Sequence, residues 1–210
     1  MRPNISKAVG TAGIIAVVLN IAAVVALQDQ PHAYKPGNLE AWRISAVANV
    51  MPSMVSAWTF TVGLALLAVF SLGLFWLHRD QSTAPGSLFV GALLVALGAT
   101  LDAAGTPLVT AVVTQLAQEP VAGRALLAVT LHLDASFNML LGLGLLLLAR
   151  GLTSHPPWLR GLAAVAGAIS IPVAGQGFSN EAAWLLAVAG PLWLTWVLWV
   201  SIQLVRKPVA

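Results

Sequence analysis

The 210-residue chain has no cysteine. That excludes disulfides, thiol nucleophiles and thiolate metal sites, and it leaves the redox compartment open. Charge is scarce as well: Asp, Glu, Lys and Arg make up 8% of residues, against about 25% in soluble domains. No polar stretch is long enough to hold a second domain, and the period-two alternation of an outer-membrane barrel is missing. The sequence contains no glycine-rich phosphate loop, no His-Glu-x-x-His and no Gly-x-Ser-x-Gly. What remains is apolar. Hydrophobic residues make up 59%, the mean hydropathy is +0.88, and the apolar runs are near twenty residues long, as membrane-crossing helices require. The expected fold is an all-α integral membrane protein with one domain over 1–210.

Six spans are predicted, at 8–27, 53–77, 86–104, 128–149, 159–176 and 183–204. Arg2 and Lys7 ahead of the first run resemble a signal peptide, but the run exceeds the ~7–15 residues of a cleaved segment. It is therefore read as a permanent helix. An N-terminus inside puts Arg2, Lys7, Arg79, Arg150, Arg160, Arg206 and Lys207 on the inner side and Lys35, Arg43 and Arg124 outside. Seven basic residues against three follow the positive-inside rule, so both termini are expected in the cytoplasm of a bacterial inner membrane. The pI near 10 reflects these scattered residues at helix ends, and no nucleic-acid partner is expected. The bilayer is the expected partner.

Two outer connections carry helices of their own. Asn38 is placed to cap a helix over Leu39 to Met51 that Pro52 breaks. Its apolar residues fall near helical spacing, which suits the outer interface. Gly105-Thr106-Pro107 ends the third span, and Pro107 to Gln118 forms a second short helix. These elements either fill space over the bundle or form a lid.

Asp102, His132 and Asp134 lie inside the apolar runs, where an ionised side chain costs about 2.5–3.5 kcal/mol on insertion scales. At about 1.5 Å per residue, Asp102 is about 22 Å from Ser87, Asp134 about 24 Å from Arg150 and His132 about 27 Å from it. Asn20 and Gln176 reach the same outer layer, and Asn138 lies one turn below Asp134. With no intramembrane Lys or Arg, the two acids do not form a simple ion pair. His132 lies about 200° around the helix from Asp134, so it either pairs across to Asp102 or reaches the outer water. Several His at fixed spacing, as catalytic zinc requires, are missing, so no metal or cofactor is expected. Asn20 and Gln176 also suit plain interhelical hydrogen bonds.

Of the eight tryptophans, Trp42, Trp58 and Trp184 suit the outer interface and Trp76 and Trp158 the inner one. Trp193, Trp196 and Trp199 run down the last span, where they either pack or wall a pocket. Trp193 is expected beside Asp102, Asp134 and Asn138, in a cavity that opens outward between the third, fourth and sixth spans. Small residues mark close helix approach: Ala8, Ala12 and Ala16, a stripe open to a membrane protein partner, then Gly91 with Gly98, and Gly142 with Gly144.

Phe137, Leu140-Leu141-Gly142-Leu143-Gly144, Leu152 and Pro157-Trp158-Leu159-Arg160-Gly161 give an apolar helix, a short Pro-x-x-Leu turn and a following helix. In this the C-terminal half resembles an uncharacterised family of bacterial six-helix membrane proteins, catalogued as a domain of unknown function. The resemblance implies the six-helix architecture and no activity.

Three functions are open to such a chain. The first is a transport-type or substrate-capture protein that holds a small, partly apolar ligand through Asp102, His132, Asp134, Asn138, Trp193, Asn20 and Gln176. Its size and predicted topology also look like the substrate-capture subunits of vitamin transporters, although no vitamin-specific motif is present. The second is an intramembrane enzyme acting on a lipid or isoprenoid by carboxylate acid/base chemistry. The third is an accessory subunit of a larger membrane complex.

Overall fold

The computed structural model describes residues 2–26 and 35–207. Leu27, where the first predicted span ends, lies outside them. The described residues form helices and no strand: α1 (Arg2–Ala26), a 3₁₀ turn at Pro36–Asn38, α2 (Leu39–Ala48), α3 (Val50–His78), α4 (Pro85–Ala103), α5 (Gly105–Thr114), α6 (Pro120–Gly151), α7 (Pro157–Val173), a 3₁₀ turn at Ala174–Gly177, α8 (Asn180–Ala183) and α9 (Leu186–Arg206). Six helical stretches are long and apolar enough to cross a membrane. The all-α membrane architecture holds.

Prolines set several of the boundaries. Pro85, Pro120 and Pro157 each stand at the first position of a helix, where the missing N–H has no intrahelical partner to lose. For this reason α6 starts eight residues before the predicted 128. Its first two turns carry Arg124. Pro52 does not break a helix, as the sequence suggested. It lies in the first turn of α3, and the break falls at Asn49 (φ −120°, ψ 55°). Asn38 makes no side-chain cap. Pro172 ends α7 early, and the chain tightens into the 3₁₀ turn at Ala174–Gly177. As an α-helix α7 therefore ends at Val173, three residues before the predicted 176, and it starts two residues before the predicted 159.

The six long helices pack as a closed ring in chain order, α1–α3–α4–α6–α7–α9, and α9 returns to α1. The start of α1 and the end of α9 lie at one end of the ring, where the Ser6 hydroxyl donates to the Leu204 carbonyl (3.1 Å). The other end, called distal here, carries α2, α5 and α8. Two glycine contacts clamp α6. A Cβ at Gly91 of α4 would lie 2.8 Å from the Gly144 carbonyl oxygen, and one at Gly167 of α7 would lie 2.7 Å from that of Gly142. Only hydrogen fits at these crossings. Gly91, Gly142 and Gly144 thus mark close approach as expected. On α1, however, Ala12 and Ala16 are buried in the ring and Ala8 is exposed. Two of the three residues of that stripe thus pack within the chain, Ala16 beside Gly63 of α3.

Aromatic side chains fill the middle of the ring. Phe70 meets Trp196 edge-on (centroids 6.2 Å), and Phe137 meets Trp193 in the same manner (6.3 Å). Both contacts reach across to α9 and belong to one apolar core. A second, smaller core lies distally, where Trp42 and Ala46 of α2 pack on Val109, Val112 and Val113 of α5 and Leu127 of α6. Trp42 is 2% exposed, so it anchors this cap and is not part of an interfacial belt. Trp58, Trp76, Trp158 and Trp184 are more than half exposed, as belt residues are.

Candidate functional site

The polar layer lies between the aromatic core and the distal cap. Asp102 is in the last turn of α4, and the helix stops at Ala103 because Ala104 and Gly105 bend the chain into α5. Asp134 is in the middle of α6, one turn from Phe137 on the core side and one turn from Thr130 on the cap side. Both acids are buried, at 4% and 5% exposure. Their carboxyl groups lie within hydrogen-bonding reach of each other.

Two amides complete the centre. The Asn138 Nδ2 donates to the Asp134 carbonyl (2.9 Å) and reaches its carboxyl at Oδ2 (3.3 Å). The Gln176 Nε2 donates to the same Oδ2. Gln176 is delivered by the 3₁₀ turn that follows Pro172, so the early end of α7 aims this side chain at α6. The turn packs tightly there, because a Cβ at Gly177 would lie 2.8 Å from the His132 Nδ1. Asn138 and Gln176 are fully buried.

The acceptors outnumber the donors. Asp102 Oδ2, Asn138 Oδ1 and Gln176 Oε1 are buried with no hydrogen-bond partner. Each such group costs about 1–3 kcal/mol if nothing satisfies it. The ion pairs among the described residues lie elsewhere, at Arg43–Glu40, Arg124–Glu40 and Arg79–Asp80.

On the other side of Asp102 is a cavity of about 10 Å³, lined by Ala57, Phe60, Asp102, Gly105, Thr106, Val109 and Thr130. It has room for about one water. Its hydroxyls are tied to the backbone: Thr106 Oγ1 donates to the Ala57 carbonyl (3.1 Å) and Thr130 Oγ1 to that of Leu126 (3.1 Å). Thr61 and Thr106 also share a hydrogen bond.

The structure thus brings together Asp102, Asp134, Asn138 and Gln176. It separates the other three candidates. His132 is exposed and leans on Phe178 (centroids 5.3 Å). It therefore reaches outward and does not pair with Asp102, because the α6 face it occupies turns away from α4. Asn20 donates to the Ala16 carbonyl (2.8 Å) and its amide packs at Gly63 of α3, since α1 borders α3 and α9. Trp193 packs on Phe137 and is absent from the cavity wall. The cavity lies among α3, α4, α5 and α6, not among the third, fourth and sixth spans. Thr61, Thr106, Thr130 and Phe60 were not singled out from the sequence. Thr130 was within reach of it, being four residues from Asp134 and so on the same helix face.

Above the site, α2 is tied down at its charged face. Arg43 holds Glu40 with two hydrogen bonds (2.8 and 3.0 Å) and donates to the Ala117 carbonyl (3.0 Å). The Arg43 hydrogen bonds hold the Glu40 carboxyl below its usual range. Partial burial opposes them, and the positive charges of Arg43 and Arg124 add to them. At the other end of the ring, His78 and His155 meet edge-on (4.7 Å), and Ser154 Oγ lies 3.2 Å from His78 Nδ1.

No protein-family model, curated protein or solved structure matches the chain. Function is therefore read from the site alone.

Proposed function

We propose that the chain is a transport-type multi-pass membrane protein that receives a small ligand at Asp102, Asp134, Asn138 and Gln176. It sits in a bacterial inner membrane with both termini in the cytoplasm, so the site belongs to the outer half of the bilayer. The supporting observation is the pair of neighbouring, buried carboxyls, which have amide donors but no cationic side chain beside them. A purely architectural polar layer is expected to close its own hydrogen bonds. This one leaves three acceptors open, and intramembrane acids of that kind mark substrate and ion pathways. The cavity beside the site, which Asp102 alone of the four lines, has room for about one water. The aromatic layer at Phe70, Phe137, Trp193 and Trp196 forms the floor that separates the site from the cytoplasmic end.

A second reading has the tight packing of that floor in its favour. Here the Asp134–Gln176–Asn138 bonds only staple the turn after α7 to α6, in an accessory subunit. Labelling by a hydrophobic carbodiimide, followed by peptide mass spectrometry, separates the two. Modification of Asp102 or Asp134 in the folded protein is expected for a site open to small molecules. Complete protection of both, with other carboxyls labelled, favours the staple.

A further inference from the structure

We propose that the ligand of this site is a small, hard inorganic cation held by oxygen atoms alone. The inference rests on the reading of Asp102, Asp134, Asn138 and Gln176 as a binding site, and it names the chemical class. When both are ionised, the two carboxyls only accept hydrogen bonds; side by side, with Asp102 Oδ2 reached by no donor, they then form a place for positive charge. The neighbouring amides are two-faced. In this structure each presents its N–H to Asp134 and leaves its carbonyl oxygen unpaired. Rotation of the amide plane by half a turn would bring Asn138 Oδ1 and Gln176 Oε1 to the position the nitrogens now hold. The four side chains would then offer carboxylate and amide oxygens to one centre, and a water in the cavity beside Asp102 would add one more.

The donor set decides the class. The described residues hold no group of three or more His, Cys, Asp or Glu placed to bind a metal, and no nitrogen or sulfur ligand faces this layer. Zinc, copper and iron prefer such ligands. Oxygen-only ligation suits hard cations. Calcium takes about 6–8 oxygens in flexible geometry, close to what two bidentate carboxylates, two amides and a water supply, and its charge matches the two acids. Sodium is the monovalent ion to set against it.

The test is equilibrium dialysis of the purified full chain in nanodiscs with radioactive calcium chloride, and in parallel with radioactive sodium chloride. Saturable binding of one ion per chain is expected. Gln176→Leu should weaken it by roughly tenfold or more, in line with other side chains that support a metal, and Asp134→Asn should abolish it. Asn20→Ala, on the α1–α3 contact, should leave it unchanged. Size-exclusion profile and tryptophan emission show that each variant is folded. If Gln176→Leu does not fold, Gln176→Glu replaces it and should retain or tighten calcium binding. Calcium and sodium binding with this pattern each support the proposal, and they distinguish the two ions. No binding of either ion to the folded wild-type chain overturns it, as does binding indifferent to Asp134→Asn. If carbodiimide reaches the carboxyls while neither ion binds, the site reading survives and the cation does not. If both experiments fail, both readings fall.

Discussion

The glycine clamp on α6 gives a prediction with a calculable sign. Replacing Gly91 by alanine puts a methyl group 2.8 Å from the Gly144 carbonyl oxygen and 2.9 Å from the Leu148 nitrogen. Both obstacles are backbone, so neither can swing aside as a side-chain tip would. The first falls short of ordinary contact by about 0.6 Å, and α4 and α6 must separate to restore it. Overpacking on this scale costs about 1–3 kcal/mol. Alanine returns up to about 1 kcal/mol of helix propensity, so the net effect is a loss of roughly 1–2 kcal/mol. At about 2–4 °C per kcal/mol for a chain of this size, the apparent Tm should fall by several degrees. Gly161→Ala in α7 meets nothing within 4 Å, so only the propensity gain remains and its Tm should hold or rise. Thermal unfolding in detergent, followed by tryptophan emission, reads both. Adding Gly144→Ala to Gly91→Ala should cost less than two separate penalties, because the helices have already parted. A Gly91→Ala protein as stable as Gly161→Ala would refute the close crossing, and with it the α4–α6 geometry that brings Asp102 to Asp134.

Two further outcomes concern the end of the ring opposite the cap and the orientation of the chain. Burial first, and the nearby His78 second, push His155 down to about 4 from an ordinary value of 6.5. The folded loop therefore favours the neutral ring, and the opened loop binds the extra proton. That contribution to stability is full above pH 6.5 and is lost as pH falls through about 4, so the protection factors of the amides across 152–155, taken relative to the intrinsic exchange rate at each pH, should fall over this window. His155→Gln should flatten the dependence, and wild-type protection factors that do not vary between pH 7 and pH 4 would count against the buried neutral pair. For the topology, an alkaline phosphatase fusion after Ala210 should be inactive and a green fluorescent protein fusion bright; the reverse pattern would invert the assigned orientation.

The spans and the polar layer were legible for a common physical reason. Hydrocarbon thickness fixes helix length, and the rise per residue then converts sequence position into depth. Asp102, Asp134, Asn138 and Gln176 were placed together on depth alone, and they do meet. Rotation about each helix is what depth leaves out. His132 and Trp193 share the layer, but one faces outward and the other faces the core. Asn20 has the right height on a helix that borders α3 and α9 instead of α4. Ring order decides that, and ring order depends on which small residues meet, a pairing that many glycine stripes satisfy equally well in one sequence. The cap was misread at Trp42 because a tryptophan at an interface and one under a short helix have the same surroundings in sequence. The hydroxyl-lined cavity escaped notice because threonine in a membrane helix usually bonds its own backbone, as Thr130 does at Leu126.

The closure of the ring by α9 on α1 has a consequence for the order of assembly. Ser6, Gly10 and Gly13 of α1 face α9 residues Ser201, Leu204 and Val205. During synthesis α1 precedes its partner α9 by about 160 residues, a delay of roughly 10–30 s at ordinary elongation rates. For that interval α1 has α3 on one flank and lipid on the other, with the Ser6 hydroxyl and a groove of small residues uncovered. The last span therefore acts as the keystone of the bundle. A ribosome stalled before 186 leaves a five-span intermediate with an open seam, and that seam is where a membrane chaperone or a quality-control protease would recognise the unfinished chain.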